Sequence, residues 1–230
     1  MILDDPASGE SFGTAAERLA LVTAAMARAA YSVGRDPAAI TLVAISKTHA
    51  AAAIAPLIAA GQRHFGENRV AEAQGKWPAL RDETPGIHLH LVGQLQSNKA
   101  AEAVALFDVI HSVDRPSLVA ALGKAMMAAN KRPDCFIQVN IGDEDQKGGC
   151  AIADLPALLA AAVAAGLPVV GLMCVPPADT EAAPFFALLA ELARRHGLRR
   201  LSMGMSGDYE TAAMLGANVV RIGSALFGAR

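Results

Sequence analysis

Lysine and arginine never occur more than two in succession along these 230 residues, and the formal net charge is only -2. Nucleic acids and acidic lipid surfaces select clustered positive charge, so neither is expected as a partner. Cysteine is scarce. Cys135, Cys150 and Cys174 are odd in number and lack metal-ligand spacing, so they read as reduced, buried thiols of a cytoplasmic protein. The positive n-region of a signal peptide is missing too, since Asp4 and Asp5 stand where it should be. A membrane span is not expected. The long uncharged stretch at 155–177 could cross a bilayer by length. It contains Pro156, Gly166, Pro168, Gly171, Pro176 and Pro177, however, and reads better as a helix, a turn and a short buried strand.

Apolar material is plentiful: 53% of the residues are hydrophobic and 18% charged, enough for a sizeable core. Residues 1–13 read as a loose tail and 14–230 as one domain. A first helix places Leu19, Val22, Met26 and Ala30 on one face. Eight short apolar runs then follow as strands at 41–46, 63–66, 87–92, 108–111, 135–140, 168–173, 200–202 and 218–222. Helical stretches lie between them at 50–60, 68–80, 97–106, 116–129, 154–165, 183–196 and 208–215. In the helix at 183–196, Phe185, Leu188, Leu189 and Leu192 share a face, and Gly197 follows as a stop signal. Strands alternating with helices imply parallel pairing. Eight such units predict a single α/β domain, a (β/α)8 barrel with an extra N-terminal helix; an open doubly wound sheet also fits the rhythm.

Chemistry in such a barrel lies at the C-terminal ends of the strands. Lys47 shares its parity with Thr41, Val43 and Ile45, so an amine would sit at the rim of an apolar funnel. An unprotonated amine there can attack an aldehyde; a solvated strand-end lysine is the plain alternative. Ser206 and Gly207 are expected to open the helix that includes Asp208, presenting amides and a hydroxyl to an anion. Asp208 would repel that anion unless it turned away. Gly223 and Ser224 open a second turn after the last strand, at the corner where barrels often hold phosphate. Two ordinary capped turns would look the same. His88 and His90 form an H-x-H pair that could bind metal, but core or rim histidines satisfied by hydrogen bonds fit better, as for His64 and His111.

The stretches LVAISKTH (42–49), HFGENRVAEA (64–73), HLHLVGQLQSNK (88–99), IHSVDR (110–115), QVNIGDEDQKGG (138–149), GLMCVPP (171–177) and LSMGMSGDYETAAMLGANVVRIGSALFG (201–228) carry a resemblance. In this order they resemble the pyridoxal phosphate homeostasis protein family, relatives of the alanine racemase barrel domain. The resemblance implies that pyridoxal 5'-phosphate is bound as an imine on Lys47. It also implies that Ser206 and the N–H groups of Gly223 and Ser224 hold the phosphate. Arg221 would hydrogen-bond the pyridine nitrogen, making the ring a weaker electron sink than an aspartate would. Asn68 would line the pocket near the ring, and Glu144 and Lys147 would lie in a loop over its mouth.

The racemase uses a second domain to supply an opposing tyrosine base. The sequence ends soon after the phosphate motif, and neither Tyr31 nor Tyr209 lies where that base is expected. Two-sided proton transfer needs two positioned groups. The expected function is therefore storage of the cofactor and its delivery to pyridoxal phosphate-dependent apo-enzymes, by a monomer and without robust catalysis. The competing readings are a racemase-like enzyme and a metal-dependent hydrolase built on His88 and His90.

Overall fold

A computed structural model describes residues 13–228. Apart from Gly13, the loose tail expected at residues 1–13 lies outside the described residues. The first helix, α1 (Ala15–Ser32), starts at a capping box: Thr14 Oγ1 accepts from Glu17 N at 3.2 Å, and the Glu17 carboxylate accepts from Thr14 N at 2.6 Å. Its inner face buries Val22, Met26 and Ala30 of the expected stripe together with Ala25 and Ala29, while Leu19 is only partly buried.

Eight parallel strands follow: β1 (Thr41–Ile45), β2 (His64–Glu67), β3 (His88–Leu91), β4 (Val109–Val113), β5 (Asp134–Gln138), β6 (Val169–Met173), β7 (Arg200–Ser202) and β8 (Val219–Ile222). They close in sequence order, with β1 pairing both β2 and β8. The open-sheet alternative is thereby removed. The helices between them are α2 (Ala51–Ala59), α3 (Val70–Gln74), α4 (Trp77–Glu83), α5 (Ala100–Leu106), α6 (Pro116–Ala129), α7 (Leu155–Ala164), α8 (Ala183–Arg195), α9 (Tyr209–Met214) and α10 (Ser224–Phe227).

Strand alternation divides the core in two. Leu42, Ala44, Phe65, Leu89, Leu91, Val220 and Ile222 point outward into the large layer shared with the helices. Each fully buried leucine or phenylalanine there contributes about 1.5–3 kcal/mol. Val43, Ile45, Phe136, Met173 and Val219 form a smaller cluster in the lumen. β2 has no side chain to offer at Gly66. A Cβ there would stand 2.5 Å from Ile45 Cδ1 and 3.0 Å from Val43 Cγ1, so glycine is what lets the β1 side chains fill the lumen.

Several expected boundaries move. β1 stops at Ile45, so Lys47 lies in the following turn rather than next to a strand end at Ser46. The helix expected at 68–80 breaks into α3 and α4 around Gly75 and Lys76. The helix expected at 208–215 begins only at Tyr209, so Ser206 and Gly207 do not open it. The stretch at 155–177 is α7, a turn and β6, as its prolines and glycines require. No helix among the described residues is long and apolar enough to cross a membrane. All three cysteines are free and buried, and burial pushes each thiol up to about 12.

Candidate functional site

A cavity of about 450 Å³ opens at the C-terminal end of the barrel, beside β1 and β8. It brings together five of the six expected site residues: Lys47, Ser206, Arg221, Gly223 and Ser224. Ile45, His49, Met205, Gly207 and Gly228 complete its wall, and among the described residues no carboxylate lines it. A larger cleft of about 790 Å³ runs along α1. Its wall is mostly apolar, and its polar groups are engaged elsewhere: Glu17 caps α1, and Arg18 Nε donates to Leu226 O at 2.6 Å. The smaller cavity carries the chemistry.

β8 places Arg221 beside Val43 of β1, on the lumen side. Its guanidinium is buried and doubly anchored: Nη1 donates to Ser202 Oγ at 2.6 Å and Nη2 to Cys174 O at 2.8 Å. Burial lowers its pKa, with the Cys174 thiol and Asp208 opposing. A guanidinium still stays charged under these conditions, and three of its five donors remain beyond the two anchors.

The anion corner is built differently from the helix terminus the sequence suggested. Ser206 Oγ accepts from Gly223 N at 3.3 Å and from Ala225 N at 3.4 Å, which ties the loop after β7 to the turn after β8. Asp208 turns away, its Oδ1 accepting from Met205 N. Its carboxylate is thus engaged in a local turn and does not line the cavity.

Lys47 is half-buried and sits in a turn whose next residue, Thr48, has φ +66°. That strained turn is clamped from outside the barrel by groups the sequence reading missed. Lys76 Nζ donates to Ser46 O at 2.8 Å and His49 O at 3.0 Å, straddling Lys47. The Glu72 carboxylate accepts from Thr48 N and from Lys76. Glu67, fully buried at the end of β2, pairs with Lys76 at 2.9 Å and also accepts from Ser46 Oγ at 2.6 Å and Trp77 Nε1 at 2.9 Å. The readable signal was a glutamate and lysine four apart, which on sequence alone is an ordinary helix-surface pair.

Asn68 does not join the other five. It lines a separate cavity of about 410 Å³ with Gln94 and Lys99. Its backbone packs so close to Gly93 that a Cβ there would stand 2.3 Å from Asn68 O. Glu144 and Lys147 pair at 2.6 Å in the loop after β5, and Lys147 also donates to Pro176 O at 2.8 Å. Lys147, Met205 and Gly207 border an adjoining cavity, so this loop lies next to the main one. His88 and His90 face His64 and His111 rather than a carboxylate. Among the described residues no group of three or more His, Cys, Asp or Glu could hold a metal ion.

Fold and cavity define a class, a parallel barrel with an amine, a guanidinium and an anion corner at one rim. The family described as alanine racemase, N-terminal domain, matches residues 25–230. Within that class the chain belongs to the pyridoxal phosphate homeostasis protein family. It is 43% identical to the pyridoxal phosphate homeostasis protein of Pseudomonas aeruginosa over 94% of this chain and 96% of that one. The protein of the same name from Escherichia coli K12 is 39% identical, again over 94% and 96%. PipY of Synechococcus elongatus PCC7942, solved with PLP bound, superposes with a TM-score of 0.81 at 39% identity, covering 93% of this chain and 100% of PipY. A histidine racemase from Leuconostoc mesenteroides shares the fold alone, with a TM-score of 0.68 at 16% identity.

Proposed function

We propose that this protein binds pyridoxal 5'-phosphate and serves its intracellular homeostasis, storing the cofactor and delivering it to apo-enzymes without robust catalysis of its own. The observation that carries the reading is the convergence of Lys47, Arg221, Ser206, Gly223 and Ser224 on one cavity with no carboxylate among its described lining residues. That donor set fits the group: an amine for its aldehyde, a cation for its ring nitrogen, and hydroxyl and amide protons for its phosphate.

When bound, the cofactor supplies an aldehyde carbon that a primary amine attacks. Lys47 provides that amine from a clamped turn. Ser206 and the Gly223 amide, now joined by a long 3.3 Å bond, have a stronger acceptor to turn to in an anionic oxygen. Asn68, expected near the ring, lines the separate cavity instead and has no part in this reading. Arg221 can only donate, so it favours an unprotonated ring nitrogen and hence a weak electron sink. A weak sink suits retention better than turnover. The three inert, buried thiols suit a reducing compartment, consistent with work in the cytoplasm.

One observation favours a second reading, a racemase-like enzyme. His49 lines the same cavity as Lys47, its ring held by stacking on Phe227 at 4.3 Å, and it would supply a second titratable group. Two measurements separate the readings. Borohydride reduction and peptide mapping should label Lys47, and the loaded protein should reactivate an apo-enzyme. Steady racemisation of alanine or serine at roughly 1 per second or faster, abolished by Lys47→Ala, would favour the enzyme instead.

A further inference from the structure

A column of three imidazoles crosses the barrel lumen from its N-terminal face to the cavity. His64 opens β2 and stacks at 4.8 Å on the exposed His88, which opens β3. His64 Nδ1 lies 3.1 Å from His90 Nε2, and His90 Nδ1 lies 2.9 Å from His111 Nε2. His111 Nδ1 lies 2.8 Å from Ser202 Oγ, the same atom that accepts from Arg221. His90, His111, Ser202 and Arg221 are buried, whereas His64 is only half-buried.

Arg221 has no acceptor, so Ser202 Oγ must accept from it and keeps one proton to donate. In the neutral column that proton goes to His111 Nδ1, 2.8 Å away. His111 then carries its proton on Nε2 and donates to His90 Nδ1, and His90 repeats the pattern toward His64. All three rings are neutral Nε2–H tautomers. Burial is the largest cause favouring this state at each ring. Neighbouring histidines and Arg200 reinforce it, as does Arg221 at His111; only Asp108 opposes it, at His64.

One proton added at His64 rewrites the chain. His64 then donates from both nitrogens, so His90 and His111 must each hold their proton on Nδ1. Ser202 must accept from His111 as well as from Arg221. The count balances: one proton enters, none leaves, and the Ser202 hydroxyl proton loses its acceptor beside the guanidinium. We infer that the column is a positioning device for Arg221 that transmits protonation at the N-terminal face to the ring-binding end of the cavity. It rests on the reading of this cavity as the pyridoxal phosphate site. The charged groups facing the column are His88 of β3, Asp108 just before β4, Asp134 of β5 paired with Arg200 of β7, and Arg221 of β8. Arg81 and Lys131 pair in turn with Asp108. β1 and β6 contribute the apolar Val43 and Met173 to the lumen.

The test uses pyridoxine 5'-phosphate, which has no aldehyde and so reads ring and phosphate contacts without Lys47 chemistry. Its dissociation constant is measured from about pH 8 to about pH 5.5, across the histidine range, for the parent protein and for His64→Gln. Glutamine can still accept from His90 and never charges. The parent should lose about 5- to 10-fold more affinity than the variant over that range, the scale of one unpaired buried donor. Superimposable profiles overturn the inference while leaving the cofactor site standing. Failure of the parent to hold either this ligand or pyridoxal 5'-phosphate at any pH sinks the site reading, and the inference with it. Nitrogen NMR of the parent gives a second check that needs no variant: a neutral Nδ1–H tautomer at His90 or His111 near pH 8 overturns the column as drawn.

Discussion

The amine and the guanidinium of the cavity are held in opposite ways. Lys47 sits in an irregular turn beyond β1, and its backbone is gripped from outside the barrel by Lys76 and Glu72. Arg221 sits within β8, and its side chain is gripped from inside by Ser202 and Cys174 O. The first arrangement fixes where a side chain starts and leaves its end free to react and release. The second fixes the end itself, as the contact proposed for it with a ring nitrogen requires. The proposed carrier role would use both, a reversible bond on one side and a constant contact on the other.

The sharpest way to break this comparison is to remove the reactive end. Lys47→Ala should abolish the borohydride-reducible linkage to pyridoxal phosphate and its visible absorbance. The fold should survive, because a half-buried turn lysine adds little to the core. A variant that keeps the linkage at full occupancy would move the attachment elsewhere.

The clamp should be next in size. Lys76→Met leaves Glu67, which is fully buried, without its ion pair. Breaking such a pair costs roughly 3–5 kcal/mol of stability, here toward the lower end because Ser46 and Trp77 still donate to Glu67. Urea unfolding measures the loss, and Lys76→Met combined with Glu67→Gln should recover part of it. A cost under about 1 kcal/mol for the single change would mean the turn holds itself.

Ser206→Ala probes the anion corner, where lysine and arginine are bystanders. It should weaken retention of pyridoxal phosphate by about 1–3 kcal/mol, the range for a hydrogen bond to a charged group, and leave binding of unphosphorylated pyridoxal almost unchanged. Equal affinity of the parent protein for the two ligands would remove the anion reading altogether.

How much was legible follows the same division. Residues on strands could be read by parity: Val43 and Ile45 inward, Leu42 and Ala44 outward, and Arg221 inward with Val219. Extending strand parity and a helix start singles out Lys47 and Ser206, but both lie in turns, so their separate roles come only from the resemblance. Lys76 stayed invisible because a continuous helix was expected at 68–80. Its break near Gly75 is what brings that lysine back over the β1 turn. His64, His90 and His111 are hydrogen-bonded core or rim residues as expected, whereas His88 is exposed and stacks on His64. Their joining into one column depends on strand register: His64 lies level with His88, while His90 pairs with Val109, two residues below His111. No single strand contains that information.

The smallest expected effect separates the two ends by pH. At the lysine end, burial raises the Glu72 carboxyl, but the bonds from Lys76 and Thr48 outweigh it and hold the group below its ordinary value of 4.5. A depressed carboxylate gives its stability in full above that ordinary value and loses it as pH falls toward the folded one. At the arginine end, His64, His90 and His111 are lowered from 6.5, chiefly by burial. The unfolded chain therefore takes up protons there first, and stability is lost as pH drops below about 6.5. The two windows do not overlap at their upper edges. Between about pH 6.5 and about pH 4.5 the column should weaken while the clamp is intact. Amide hydrogen exchange should accordingly accelerate first in β3, β4 and β8, and only below that range in the turn at Ser46–His49. His64→Gln should shrink the first phase and leave the second in place. If the Lys47 turn opens at the same pH as β4, or earlier, the two anchors are one cooperative unit and the contrast between them is lost.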